Sequence, residues 1–524
     1  MTRAQIIILF SLGVAVALAA GMSLENPGYM DAEYYFVTGR ELSIGNGFQE
    51  PFIWNYLSSP QGLPHPSHGY WMPFASLIAA LPMSLVGSSF RAAQIPFILL
   101  TALLPLLTSR YSYSLHQDNR AAFLAGLLAA VPGFFLPYFL TTDMFILYAW
   151  IGTAFFWSMH LAWKRRSALL WIFAGVCIGL AHLSRADGFL FLFPFLYFIA
   201  IDRERLWRRL GLAGAGYCLV MVPWFLRNLQ VFGALLPPGN QSVLWMRSYE
   251  DLFRYPATGL NPTYLLDTGL ASIISARLEA LWINLQRVVA ENCLVFLLPF
   301  MVIGFLTKRG SKVVRSAALY WLILFVVMSV VFPFAGAQGG TFHSSAALMP
   351  TLWMLIPFGL RKAVAWIGAR RKWDIPQATI NFGWIMVVLA ALFTTGVYLQ
   401  RVYGFEQPGK TWSSDTVYYS SLGRALADLE PEAEIVMVNN PPGLYAVTGI
   451  KSVVVPSGGQ EALSRALIDF KVDYLVLDRN HPSGLTDLFG REEIPEGLKF
   501  VEQLNTEHYG PALIFRSDME RNPE

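Results

Sequence analysis

Long apolar runs separated by short polar turns fill residues 1–402, and only beyond about 403 do short alternating runs replace them. A helix needs about 20 apolar residues to cross the hydrocarbon core of a bilayer. The runs predict spans near 5–22, 90–108, 121–139, 144–162, 168–183, 189–201, 211–226, 281–306, 316–334, 346–360 and 380–400. The expected fold is therefore an all-α polytopic membrane domain of about 11 transmembrane helices over 1–402, followed by a separate domain over 403–524. In that tail, EIVMVNN, SVVVP, YLVLD, LKFVEQL and ALIFRS read as strands, while SSLGRALADL and GQEALSRALIDF read as helices. They describe a small α/β domain without a glycine-rich phosphate loop. Residues 4–20 follow Arg3 and end in small residues, as a signal peptide does, but the apolar run is long and an uncleaved first helix is favoured.

Charge orients the spans. Basic residues gather in Lys164–Arg166, in Arg203, Arg205, Arg208 and Arg209, in Lys308, Arg309, Lys312 and Arg315, and in Arg361, Lys362 and Arg370–Lys372. Short cytoplasmic loops collect such residues. The clusters alternate correctly if the N-terminus is cytoplasmic and eleven helices cross, which puts the C-terminal domain outside the cytoplasm. The apolar segment 69–87 would invert every later loop if counted as a span. Interrupted by Pro73 and Pro82, it reads instead as a helix lying in the outer interface within the first outer loop, 23–89.

Composition agrees with lipid as the main solvent: 55% of the 524 residues are hydrophobic and only 14% charged, against about 25% charged in soluble domains. A net charge of +3 gives no footprint for nucleic acid. Cys177, Cys218 and Cys293 all sit in apolar runs and form neither a disulfide pattern nor a metal spacing.

Candidate chemistry gathers in the outer turns. In GYMDAEYYFVTGR, directly after the first span, Asp31 and Glu33 neighbour Tyr34 and Tyr35. Carboxylates at a bilayer edge favour a wet cavity, and an acid there can take a proton from an acceptor hydroxyl; the alternative is a solvated helix cap. His65 and His68 in LPHPSHGYWMP offer a divalent-metal pair, hydrogen bonds to substrate hydroxyls, or purely structural contacts. Asp143 follows the third span. His182, Arg185 and Asp187 follow the fifth, where Arg185 and Asp187 are also placed to pair with each other. Arg227 ends the seventh span, and Arg247 and Arg254 lie in the loop beyond it; guanidinium groups at headgroup level suit a phosphate or ordinary anionic lipid. Between the ninth and tenth spans, Gly336, Gly339 and Gly340 allow close backbone approach and His343 adds a polar group.

An Asp-x-Glu-Tyr-Tyr element after the first helix, then HPSHGYWMP and PWFLRNLQVFG, resembles the GT-C superfamily of membrane glycosyltransferases over roughly residues 1–400. More narrowly the chain is similar to the protein O-mannosyltransferase, aminoarabinose-transferase and rhizobial-type lipopolysaccharide core transferase group. The resemblance implies a polyprenyl-phosphate-linked sugar donor and a protein, glycan or lipid acceptor reached from outside. It matches Asp31 to the catalytic acid of the first outer loop and Asp143 to the second acidic position. Glu33 joins them as a catalytic candidate; Arg227, Arg247 and Arg254 are expected at the donor phosphate, and Tyr34, His65, His68, Arg185 and His343 at the substrate. Where many relatives carry an acid followed by Pro-Pro-Leu, this chain has His65, Pro66, Ser67 and His68. Metal ligation carried over from relatives therefore does not transfer directly, and the cofactor expectation is a divalent metal or none. Two other classes compete: a transporter or lipid flippase, and a noncatalytic polyprenyl-lipid-binding protein.

Overall fold

A computed structural model describes residues 1–201, 205–404, 411–430, 433–506 and 510–519; Arg203 of the second basic cluster lies outside them. Among the described residues, seven helices are long and apolar enough to cross a membrane: Arg3–Met22, Phe90–His116, Phe145–Arg165, Leu206–Phe232, Lys312–Val331, Pro333–Arg371 and Ile375–Tyr403. They fall on seven of the eleven expected stretches. The other four hold the shorter apolar helices Asn119–Ala130, Ala168–Ser184, Ala186–Ala200 and Leu298–Lys308. Local chemistry divides two of these. Past Ala130 the chain meets Pro132 and Gly133, the latter at φ +66°, and Pro supplies no helical amide. Before Leu298 the backbone of Leu294 and Val295 is left-handed.

The chain forms two compact units. The first comprises Met1–Ser23, Gln94–Arg227 and Ala276–Leu399 and holds nearly all of the apolar helices; the second comprises Leu24–Ala93, Asn228–Ser275 and Gln400–Glu524. Helices in the first unit approach through small residues, as is usual where lipid removes the hydrophobic drive for association. A Cβ on Gly304 would overlap the Leu355 carbonyl, and one on Gly359 the Phe300 carbonyl. Helices Leu298–Lys308 and Met349–Arg371 thus touch backbone to backbone. The basic loops of this unit share one end, where Arg361 pairs with Asp118 at 2.6 Å and Lys308 lies 3.8 Å over the Phe358 ring.

The second unit is built around a mixed sheet. Its strands are β2 (Phe52–Ile53), β4 (Ile435–Val438), β5 (Lys451–Val454), β6 (Tyr474–Leu477), β7 (Leu498–Thr506) and β8 (Gly510–Ser517); β1 (Gln49–Glu50) and β3 (His65–Pro66) form a separate antiparallel pair. The order is β2-β5-β4-β6-β8-β7, with the first four parallel and β8 and β7 antiparallel. Helix Ser414–Leu429 places Tyr418, Leu422 and Leu426 on Val436, Val476 and Ile514 to make the core. Every strand and helix expected in the tail is present. The sequence reading missed helix Pro441–Thr448 and β2, which brings the first outer loop into the sheet beside Ser452 and Val453. Tyr56 reinforces that join by donating its hydroxyl proton to the Val454 carbonyl.

Two helices complete this unit. Helix Met30–Ser43 begins after Asn26, Pro27 and Gly28, with Asp31 and Glu33 in its first turn and Arg40 in its last, the charge arrangement a helix dipole favours. Against it lies helix Phe74–Val86, the segment expected in the outer interface. It buries Ala75, Ser76, Ala79, Ala80 and Met83 and leaves Leu81, Leu85 and Val86 exposed.

Candidate active site

In the membrane unit three turns that the sequence places on one face do meet. Asp143 precedes helix Phe145–Arg165 and is fully buried. His343 sits in a short helix, Thr341–Ser345, and brings Nε2 to 3.3 Å from Asp143 Oδ2. Its Nδ1 lies 2.9 Å from the Gly339 carbonyl and donates there, Nε2 faces Asp143 as a charged partner when the ring carries both protons, and the ring stacks on Phe145 at 4.2 Å. The next residue, Ser344, donates its hydroxyl to Asp187, whose other oxygen accepts from Arg185 Nε at 2.8 Å. One five-residue helix therefore holds both acids, Asp143 through His343 and Asp187 through Ser344. Arg185 is engaged by Asp187, the pairing the sequence left open. The glycines of this turn serve the turn itself: Gly339 takes φ +126°, and a Cβ on Gly336 would overlap the Met328 carbonyl. His182 shares a hydrogen bond with the Tyr217 hydroxyl at 2.8 Å.

In the second unit, Asp31 occupies the first turn of helix Met30–Ser43 and is half-buried. Glu33 differs from it sharply. It is 2% exposed and accepts from Asn440 Nδ2 at 2.8 Å, while the same amide donates to Asp415 Oδ2 at 3.1 Å. Burial is the main reason that Glu33 holds its proton well above the usual carboxylate range; Asp415 and Asp31 add to it, and the Asn440 bond opposes it. Burial likewise pushes Asp415 up to about 6, with Asp478 adding and Asn440 opposing. One amide thus bridges two buried carboxyls, an arrangement stable when at least one is protonated. Glu33 was expected beside Asp31 in catalysis; the turn of the helix points it into the interior instead.

Tyr34, His65 and His68 are also interior. Tyr34 is 0% exposed, accepts from the His68 amide at 2.8 Å, and is ringed by Phe52, Trp54, His68 and Trp71. His68 Nδ1 meets Ser67 Oγ at 2.7 Å and Nε2 meets Ser76 Oγ at 3.1 Å. His65 Nε2 lies 2.8 Å from Glu50, a buried partner the sequence gave no cause to single out. The two histidines thus serve separate polar contacts within the loop and do not form the metal pair that their spacing suggested.

The arginines divide as well. Arg227 stacks 4.8 Å over the buried Trp224 ring one helical turn earlier. Arg247 and Arg254 both face Tyr264, at 3.7 and 4.5 Å from its ring. Arg254 donates to the Tyr264 hydroxyl at 2.8 Å, which donates onward to Asp251 at 2.9 Å; Arg247 also lies 3.8 Å from Asp267. Expected as phosphate ligands, these two have their charge compensated within their own loop. The acids Asp251 and Asp267 were the sequence signal for that compensation.

Comparison with known proteins bears on the fold. The family described as dolichyl-phosphate-mannose-protein mannosyltransferase matches residues 65–226. No curated protein matches the chain by sequence. The oligosaccharyltransferase of Archaeoglobus fulgidus in its apo form aligns over 90% of this chain and 69% of its own, with TM-score 0.57 and 16% identity. The archaeal oligosaccharyltransferase AglB from Archaeoglobus fulgidus, in complex with an inhibitory peptide and a dolichol-phosphate, aligns with TM-score 0.56, 15% identity and the same coverage. ArnT from Cupriavidus metallidurans bound to undecaprenyl phosphate aligns over all of both chains, with TM-score 0.55 and 14% identity. The resemblance to the GT-C membrane glycosyltransferases, which the first four hundred residues carry, is borne out in the fold and in the family match.

Proposed function

We propose that this chain, with its GT-C fold, moves a sugar from a polyprenyl-phosphate donor to an acceptor hydroxyl at the extracytoplasmic face of the plasma or inner membrane. The observation that carries this reading is the meeting of Asp143, His343, Asp187 and Arg185 from three separate turns at one end of the membrane unit. A buried set of acids and their partners is costly to maintain in an apolar bundle and marks a functional place. Solved relatives in fold hold undecaprenyl phosphate or dolichol-phosphate, which supports a lipid-phosphate donor here. The N-terminus is placed in the cytoplasm and the second unit outside, because the basic loops then all face inward.

In the proposed reaction Asp31 takes the acceptor hydroxyl proton as that oxygen attacks the anomeric carbon. The carbon–oxygen bond to the lipid phosphate breaks on the opposite face, its electron pair leaves with the phosphate, and the anomeric configuration inverts. A half-buried carboxylate suits this work: it is reachable by an acceptor and held at a fixed helix start. Asp143 carries the second acidic role, with His343 setting its orientation. Arg227, held flat on Trp224, meets the departing phosphate, a preorganised positive charge of the kind that dominates many catalysts. Asp143 and His343 are donors a divalent ion accepts, and an ion held there would add positive charge near the leaving group. Glu33, by contrast, anchors the helix that carries Asp31.

The test is mass spectrometry of glycolipids and glycoproteins from cells that carry the wild-type chain, Asp31→Asn, or no chain. A sugar-bearing product present only with wild type is expected, with Asp31→Asn lowering it by about a thousandfold, the usual range for losing a general base, while the variant purifies intact. Full product from Asp31→Asn removes Asp31 from that role. Lipid flux in proteoliposomes without donor turnover would point instead to a flippase, and donor binding without product to a noncatalytic lipid-binding protein.

A further inference from the structure

Far from Asp143, the same helix borders a cavity that the proposed reaction does not use. Helices Phe90–His116 and Phe145–Arg165 border an open cleft of about 370 Å³ whose lining includes Arg110, Ser114, Gln117, Trp157, Lys164 and Arg165. Asp143 precedes the start of helix Phe145–Arg165 and Lys164 and Arg165 end it. At 1.5 Å per residue the two places lie about 30 Å apart, the thickness of a hydrocarbon core. The cavity therefore belongs to the opposite leaflet, the cytoplasmic one in the proposed orientation.

The charges in its lining are all of one sign. Arg110 comes from one helix, Lys164 and Arg165 from the other. Among the described residues none of the three has a carboxylate partner; Asp118, at the N-cap of the next helix, Asn119–Ala130, is taken by Arg361. Trp157 Nε1 donates to Ser114 Oγ at 2.9 Å and fixes the wall between the helices. Three cations around a small space with hydroxyl and amide donors are the complement of a phosphoryl oxygen cluster.

The lipid side is also written on the first helix. Ile95, Leu99 and Leu103 are 43%, 57% and 36% exposed. At 100° per residue they share a stripe with Arg110. An acyl chain lying on that apolar stripe would bring its headgroup to Arg110. Basic pockets between spanning helices on the cytoplasmic side are a recurrent way to hold anionic headgroups.

The geometry points to a binding site for the phosphate headgroup of an anionic membrane phospholipid in this cavity, separate from the donor site. It assigns Arg110, Lys164 and Arg165 to the phosphate, and Leu99 and Leu103 to the acyl chain. The site is independent of whether Asp31 catalyses transfer.

Native mass spectrometry of the full chain, released from detergent and titrated with phosphatidylglycerol, phosphatidylcholine or inorganic phosphate, tests it. Wild type is expected to retain phosphatidylglycerol in preference to phosphatidylcholine. The triple variant R110Q/K164Q/R165Q is expected to bind phosphatidylglycerol roughly a hundredfold more weakly, at about a fivefold loss per charge near a membrane surface. A second variant, R371Q/K372Q, removes two cations from another loop at the same end and is expected to leave retention unchanged. Equal loss in both variants makes the effect one of overall charge and overturns the site. Unchanged binding in the triple variant overturns it as well. Inorganic phosphate displacing the lipid from wild type at equal concentration overturns the lipid assignment in favour of a soluble phosphate. Should the triple variant not purify, the single variants K164Q and R165Q are read in the same titration, each expected to lose about fivefold.

Discussion

His343 and Asp143 stand 3.3 Å apart with the carboxylate wholly buried. Asp143 keeps the Met144 amide as a donor, but a buried charge that loses a charged partner is less well compensated, at a cost of about 1–3 kcal/mol. His343→Ala is therefore expected to lower the thermal midpoint of the purified protein by several degrees and to reduce transfer by about a hundredfold. Asp143→Asn keeps the shape without the charge and is expected to lose transfer with a smaller loss of stability. A His343→Ala protein as stable as wild type would contradict this coupling. The Glu33–Asn440–Asp415 bridge makes a second residue-scale prediction. Both carboxyls titrate above their usual range in the fold, Asp415 at about 6. For an acid raised in the folded state, the stabilising contribution is complete below its unfolded pKa of about 4 and fades as pH rises through the folded value. The second unit should lose on the order of 2 kcal/mol between pH 4 and pH 8, read as a falling midpoint in a thermal series. Asp415→Asn should flatten that slope, and an unchanged slope would refute the assignment. Sequence alone pointed to Glu33 because it neighbours Asp31; its partner Asn440 stands 407 residues away, a separation no local pattern reports.

Helices in the membrane unit meet through glycines whose missing side chain is the contact. Gly→Ala in an exposed helix normally stabilises by about 0.5–1 kcal/mol through the unfolded chain. At Gly214, where an added Cβ meets nothing within 4 Å, that gain is expected. At Gly359 the added Cβ would overlap the Phe300 carbonyl, so Gly359→Ala is expected to destabilise by about 1–3 kcal/mol. The opposite signs of the two midpoint shifts are the check; two shifts of the same sign would show the helix contact to be compliant. Helix positions were legible at this scale because apolar runs and their polar interruptions are local. The divided runs were less so: the run 281–306 reads as one span despite Arg287 and Glu291, yet left-handed backbone at Leu294 and Val295 breaks it, a conformation that packing imposes on residues that do not favour it.

At the scale of the whole molecule, the second unit draws on three stretches of chain, and β2 from the first outer loop completes a sheet whose other strands lie beyond residue 434. Ending the chain after residue 404 should leave β2 and Glu33 without β5 and Asn440. Limited proteolysis in detergent micelles is then expected to cut within 44–72 much faster than in the full chain; equal rates would mean that the loop holds its form unaided. The sequence by itself determined that this chain lives in a membrane, where its helices run, that its tail is an α/β domain, and that its superfamily likeness is to GT-C transferases. The likeness rests on the motifs DAEYY, HPSHGYWMP and PWFLRNLQVFG; the rest follows from composition and from periodicities of two and 3.6 residues, which are properties of neighbours in sequence. Only the tertiary structure decided which polar residues are spent on the interior and which are left for chemistry. Glu33, Tyr34 and His68 turned inward, Arg247 and Arg254 found acids of their own loop, and Asp143 met His343 across two hundred residues of sequence. Burial and partnership are set by contacts between distant segments, and a single chain read in order does not contain those contacts.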